Sequence, residues 1–185
     1  NGLRYFSSNN KIHKVTLFRG DGIGPEISQS VVDIFKSAGV PIEWEEYSIY
    51  SKAVTEDGDL ISKESLESIL RNKIALKGPF TTPIGGGYRS LNVTLRKKLK
   101  LYANVRPVKS IKGVQTVYED VDLVTIRENT EGEYSGLEHE VIPGVVENLK
   151  IISEDACSRI AQFAFQYAVN NKRKSVCAAH KAGVQ

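Results

Sequence analysis

The stretch VTLFRGDGIGPEI, residues 15 to 27, sets the class of fold. Val15 to Phe18 read as a short apolar strand. Arg19 to Gly24 form a glycine-rich turn, after which Pro25 suits the first helical position and Glu26 its first turn. Ile27, Val31, Ile34, Phe35 and Ala38 then recur at helical spacing, and Gly39 closes the helix. A strand, a glycine turn and a helix invite comparison with the dinucleotide fingerprint. The spacing is G-x-G-x-G rather than G-x-G-x-x-G, however, and no acid ends a second strand at the expected distance. These glycines are read as a tight structural turn, not a phosphate cradle.

Outward from that unit, strands and helices continue to alternate. Ile42 to Ile49 alternate around Trp44 as a second strand. Ser62 is an N-cap for a helix carrying Leu66, Ile69 and Leu70, and Ile74 to Lys77 form another strand. A helix is expected over Val93 to Leu101, and a buried strand over Val121 to Ile126. Ser153 to Asn171 make a long amphipathic helix through Ile160, Phe163, Ala164, Tyr167 and Ala168. A last strand, from Val176, delivers His180 and Lys181. The run predicts an α/β fold with a largely parallel sheet.

Composition narrows the function classes. The 185 residues suffice for one ordinary domain or parts of two. With 41% hydrophobic and 25% charged residues the chain is an ordinary globular one. A net charge of +3 without long like-charged blocks gives no footprint for nucleic acid. No apolar run approaches the length of a membrane span. Cys157 and Cys177 form no C-x-x-C pair and are expected to be buried thiols of a reducing compartment. The chain contains no Met, and its first twenty residues contain no acid but include Arg4, Lys11, Lys14 and Arg19. Two readings of this end stay open: the tail of a mitochondrial transit peptide, with Arg4 to Ser8 as a matrix-peptidase cleavage context, or an ordinary disordered N-terminus. Because the last strand ends at His180-Lys181, the sequence is read as a fragment.

Chemistry concentrates in KGPFTTPIGGGYRSLNVTLRKKLKLYANVR, residues 77 to 106. Ser90, Asn92 and Arg96 fall at i, i+2 and i+6, and Arg106 follows a short apolar run. Hydroxyl and amide donors beside guanidinium forks can grip a small polyanion. Gly85 to Gly87 let the backbone approach a ligand or move as a loop; the flanking Thr81, Thr82 and Arg89 point to ligand contact. Arg127 is expected just past a strand's C-terminal end, where α/β enzymes place binding residues; a surface salt bridge to Glu128 or Glu131 is the alternative. With Tyr134 and Lys181 downstream, the set points to an enzyme acting on a small polycarboxylic acid. His13 and His139 lack metal-ligand spacing and are read as surface residues, and His180 as a hydrogen-bonded strand-end histidine.

Five motifs together resemble the β-decarboxylating dehydrogenases, and within them the mitochondrial NAD-dependent isocitrate dehydrogenases: GDGIGPEI at 20 to 27, LKGPFTTPIGGGYRSLNVTLRK at 76 to 97, LYANVRP at 101 to 107, IRENTEGEYSGLEH at 126 to 139, and HK at 180 to 181. The resemblance implies an isopropylmalate-dehydrogenase-like, non-Rossmann pair of α/β domains with the site in their cleft. It implies a tail at 1 to 14, part of the large domain at 15 to 102, part of the small, dimerisation domain at 103 to 185, and a C-terminal half beyond. Substrate contacts carry over to Ser90, Asn92, Arg96, Arg106 and Arg127. Thr81 and Thr82 match residues near the nicotinamide end of NAD.

The implied reaction is oxidation of isocitrate, loss of CO₂ and reprotonation of the enol to 2-oxoglutarate. Lys181 matches the lysine that helps remove the hydroxyl proton, and Tyr134 the tyrosine that returns a proton. Mg²⁺ or Mn²⁺ would act as Lewis acid, through ligands outside this sequence. An isopropylmalate enzyme would need an apolar slot where Ser90 and Asn92 stand. Tyr134, Gly85 to Gly87 and Arg106-Pro107 match the catalytic rather than the regulatory type of subunit, implying an oligomer of homologous subunits in the mitochondrial matrix. Ala182-Gly183-Val184 departs from the Ala-Asn-Ile of many relatives, removing a cofactor contact at position 183. Two alternatives accompany this reading: a truncated, non-catalytic regulatory or structural partner of full-length subunits, and a related dehydrogenase for another 2-hydroxy acid.

Overall fold

The computed structural model describes residues 11–48, 61–81 and 90–180, without the side chains of positions 133, 134 and 136. The chain divides into two compact units, residues 1–95 and 96–185.

The first unit is built on a three-stranded parallel sheet. Its strands are β1 (His13–Phe18), β2 (Ile42–Glu46) and β3 (Ala75–Lys77), in the order β2-β1-β3. Val15, Thr16, Leu17 and Phe18 are all buried, as a central parallel strand covered on both faces requires. Register pairs Val15 with Trp44 and Thr16 with Glu45, so successive residues serve opposite faces. Helix α1 (Gly24–Ser37) lies on the Trp44 face, where Phe35 meets Trp44 edge-on at 5.9 Å. Helix α2 (Lys63–Asn72) lies on the Thr16 face and is capped as expected, the Ser62 side chain accepting the Ser65 N–H.

On that second face the core is polar. Thr16 and Ser68, both fully buried, share a hydrogen bond of 2.8 Å, and Asn72 donates to Thr16 Oγ1 at 3.1 Å. Glu45 accepts from Ser68 at 2.8 Å, from Asn72 at 3.0 Å and from Arg71 at 2.5 Å. Donors from Asn72, then Ser68, hold its carboxyl at about 2, against an ordinary 4.5. Burial is tolerated because every group has a partner.

Helix α1 corrects the expected apolar face. Its buried residues are Gly24 and Ser28, whereas Ile27 and Ile34 are 44% and 64% exposed. Close backbone packing is the reason. The carbonyl of Arg19, just past β1, occupies the space beside Gly24 and Gly78, where an added Cβ would lie 2.2 and 1.9 Å from it. The Ser28 hydroxyl donates to the same oxygen at 3.4 Å. Small residues must therefore face inward at the start of the helix, while Ile27 and Ile34 turn outward and Phe35 packs on Trp44.

In the second unit the expected parallel sheet gives way to antiparallel pairs. Strands β4 (Ala103–Lys109) and β5 (Asp122–Glu128) form one ribbon; β6 (Gly132–Ile142) and β7 (Val145–Ile151) form another. The connection between β4 and β5 is closed twice by one residue pair: the Ser110 N–H donates to the Val121 carbonyl, and the Val121 N–H to the Ser110 hydroxyl, each at 2.8 Å. Helix α3 (Leu91–Lys98) spans the division between the units, starting two residues before the expected Val93 and ending before Leu101. Helix α4 (Glu154–Asn170) begins at the Ser153 cap, whose hydroxyl accepts the Ala156 N–H at 3.2 Å. Tyr102 meets Phe163 of α4 edge-on, and Arg159 of the same helix lies over the Tyr102 ring.

Two further expectations fail. Residues 173–180 form no strand, because among the described residues no ladder pairs with them. Cys157 and Cys177 are exposed rather than buried; Cys157 lies in the first turn of α4 and Cys177 in the unpaired segment. β5 runs through Glu128 and β6 starts at Gly132. His139 is a surface residue as read, 3.3 Å from Glu147 across the hairpin.

Two outcomes are expected. Gly78→Ala would drive its Cβ into a carbonyl 1.9 Å away and lower unfolding stability by about 3 kcal/mol. Gly113→Ala, at φ +88 with nothing within 4 Å, would lose only about 1 kcal/mol; urea midpoints give the comparison. Glu45→Gln is destabilising at neutral pH. Since folding depresses the Glu45 carboxyl to about 2 from 4.5, its stabilisation is complete above the unfolded value and fades as pH falls toward the folded one. The wild-type advantage over Glu45→Gln, followed by urea unfolding from pH 7 to pH 2, should shrink through that window.

Candidate functional site

At the carboxyl edge of the parallel sheet, the segments following β1 and β3 interlock. The Asp21 N–H donates to the Pro79 carbonyl at 2.7 Å, and the Asp21 carboxylate accepts the Thr81 N–H at 2.7 Å. Thr81 is thereby held, exposed, at the sheet edge where α/β proteins bind ligands. Gly20, at φ +80, could carry no Cβ, which would meet the Pro79 carbonyl at 2.2 Å. Gly20 and Gly24 of the G-x-G-x-G turn thus serve backbone packing, whereas Gly22, at φ +58 with nothing within 4 Å, serves the turn itself. Thr82, Gly85 to Gly87 and Arg89 lie outside the described residues.

Helix α3 gathers a second group. Ser90 stands just before it, its carbonyl accepting the Thr94 N–H at 2.9 Å. Asn92 and Arg96, both half-buried, are one turn apart on one helix face. Buried Leu91 and Leu95 anchor the helix. Beside Arg96, the Lys97 ammonium donates to the Ser135 carbonyl at 2.6 Å.

The β4–β5 ribbon makes a third group. Asn104 is opposite Arg127, and Arg106 is opposite Thr125. Period-two alternation places these four side chains on a single face. Val124 and Ile126, on the other face, line a cavity with Ala164, Tyr167 and Ala168 of α4. Arg106 and Arg127 are therefore diagonal neighbours on the face turned away from α4, and both are exposed. Arg106 Nε donates to Asn104 Oδ1 at 3.3 Å.

This arrangement corrects the expectation of a buried β5. Its exposed residues include Asp122, Leu123, Thr125 and Arg127, because α4 covers one face only. Arg127 lies within β5 rather than past its end. Of its neighbouring acids, Glu128 bonds Arg159 at 3.3 Å and the Thr130 N–H at 2.7 Å, and Glu131 the Ser153 N–H and hydroxyl at 2.9 and 2.7 Å. The Ser153 hydroxyl first, and its N–H second, hold the Glu131 carboxyl below the ordinary value. Both carboxylates pin the β5–β6 connection to the start of α4.

Tyr134 falls on β6, but its side chain, like all of Lys181, lies outside the described residues. Asp21, Lys97, Asn104 and Thr125 escaped the sequence reading. Asn104 was findable, standing two residues before Arg106 on a strand; the other three depend on contacts distant in sequence. Among the described residues, no three His, Cys, Asp or Glu side chains cluster as a metal ligand set. No helix among them is long and apolar enough to cross a membrane.

Known proteins match this chain over nearly its whole length. The family model for isocitrate/isopropylmalate dehydrogenase covers residues 14–185. The chloroplastic 3-isopropylmalate dehydrogenase of Solanum tuberosum is 58% identical over 177 residues, 96% of this chain and 50% of the relative. Mitochondrial isocitrate dehydrogenase (NAD) catalytic subunit 5 of Arabidopsis thaliana is 58% identical over 181 residues, 98% of this chain and 48% of the relative. The crystal structure of isocitrate dehydrogenase from Methylococcus capsulatus superposes with a TM-score of 0.79 at 46% identity, covering 88% of this chain and 49% of that one. The chain spans about half the length of the curated relatives it matches. Fold, motifs and identity agree, and the chain belongs to the isocitrate/isopropylmalate dehydrogenase family.

Proposed function

We propose that this chain supplies the substrate-gripping part of a mitochondrial NAD-dependent isocitrate dehydrogenase of the tricarboxylic acid cycle, as a catalytic-type subunit in an oligomer of homologous subunits. The observation that carries the reading is the pairing of Arg106 and Arg127 on one open ribbon face, flanked by Asn104 and Thr125. Two guanidinium forks on neighbouring rungs suit two carboxylates of one small ligand. Arg96 matches a third, and Ser90 and Asn92 donate hydrogen bonds to the distal carboxylate. Isocitrate has three carboxylates and satisfies all of them.

The remaining roles are those that the family resemblance implies. Lys181 removes the substrate hydroxyl proton, for which its pKa must fall below the usual ~10.4. NAD takes the hydride, with Thr81 and Thr82 near its nicotinamide end. Tyr134 returns a proton after CO₂ leaves, as a phenol, which is ordinarily protonated at neutral pH, can do. Mg²⁺ or Mn²⁺ would polarise the ketone, but the described residues do not supply its ligand set. Residues 15 to 102 belong to the large domain in this reading, and 103 to 185 to the small, dimerisation domain.

A second substrate has specific support, since one relative at 58% identity is a 3-isopropylmalate dehydrogenase. Ser90 and Asn92 weigh against it, because an isopropyl group would leave their polar groups unmatched. Assays of the assembled enzyme with both acids separate the two: isocitrate should give the higher kcat/KM, and preference for isopropylmalate would reverse the assignment. Arg96→Ala should lower kcat/KM for isocitrate about 100-fold, roughly 3 kcal/mol of lost transition-state stabilisation. Unchanged kinetics would remove Arg96 from the site.

A further inference from the structure

Lys97 is set apart from the other basic residues at the end of α3. Arg96, Lys97 and Lys98 all occupy its last turn, where any cation gains from the helix dipole. Lys97 does more: half-buried, it commits its ammonium to the carbonyl of Ser135, 38 positions away, at 2.6 Å. That carbonyl is neutral, so the bond neutralises no charge. What the contact gains is geometry, since a charge-assisted bond to one fixed oxygen is short and directional.

The place where Lys97 lands is irregular. The β6–β7 ladder shifts register between Gly132 and Leu137, a span containing Tyr134 and Ser135. Such shifts take residues out of the ladder, and a backbone group left outside it needs another partner. Lys97 supplies that partner. The Ser135 hydroxyl in turn donates to the Leu149 carbonyl of β7, stitching the irregular segment to the hairpin.

We propose that Lys97 is a positioning residue for proton return, tying the helix that carries Arg96 to the segment of β6 that carries Tyr134. The proposal rests on the reading of Tyr134 as proton donor given above. Through this bond two pairs of consecutive residues are linked, Arg96 with Lys97 and Tyr134 with Ser135.

A double-mutant cycle on the assembled enzyme, following NAD reduction with isocitrate, tests it. Tyr134→Phe should lower kcat about 100-fold, and Lys97→Met about tenfold through a displaced phenol. In the Tyr134→Phe background, Lys97→Met should add less than about twofold, because both changes act on one step. Lys97→Arg, which keeps a charged donor, should restore most of the loss. An equal Lys97→Met loss in both backgrounds, or no loss in either, overturns the inference while leaving Tyr134 in place. A Tyr134→Phe enzyme with unchanged kcat overturns the reading of Tyr134, and the inference falls with it. Should Lys97→Met fail to assemble, Lys97→Gln completes the same cycle.

Discussion

One carbonyl oxygen governs the geometry of the first unit. The Arg19 oxygen sits where Gly24 and Gly78 would each otherwise place a Cβ, so the turn after β1, the start of α1 and the segment after β3 can only pack as bare backbone. This contact explains why α1 begins where it does and why Ser28 rather than an isoleucine faces inward. It also brings Asp21 within hydrogen-bonding reach of Pro79 and Thr81. The G-x-G-x-G turn is a joint between two loops, and the sheet edge that would face a ligand is shaped by that joint.

The two units solve burial differently. In the first, a parallel strand covered on both faces combines an apolar face with a fully partnered polar network around Thr16, Ser68, Asn72 and Glu45. Such a network is a poor source of net stability but a strict specifier of packing, because any displaced member leaves a buried polar group without a partner. In the second, α4 covers one face of the β4–β5 ribbon and leaves the other exposed. Period-two alternation then sorts its residues, with Val124 and Ile126 toward α4 and Arg106 and Arg127 away.

Legibility in the sequence followed the range of the interaction. The β1–turn–α1 unit and the Ser62 cap are encoded within a few residues, and they appear where the sequence places them, as does the long helix that begins beside Ser153. The buried side of α1 was misread because periodicity assumes that apolar residues face the core, whereas backbone proximity demanded Gly24 and Ser28. The antiparallel ribbons were missed because β6 and β7 mix charged and apolar residues, and only pairing defines them. For the site, the arginines stood out by residue type and neighbours. Their common face needed the β4–β5 register, and the Lys97–Ser135 bond joins segments that no local pattern connects.

The double closure between Ser110 and Val121 has a consequence for tolerance to change. The loop it cuts off, residues 111–120, is exposed throughout, and the register of β4 on β5 is set before the chain enters it. Insertions or deletions inside that loop leave every rung of the ribbon where it was, since loop length adds little to the entropy of closure. A one-residue change within β4 itself would turn Arg106 and Asn104 toward α4 and bring Val105 out in their place. Length variation across descendants of this chain therefore has a permitted window bounded by two residues, with the arginine pair insulated from whatever happens inside it.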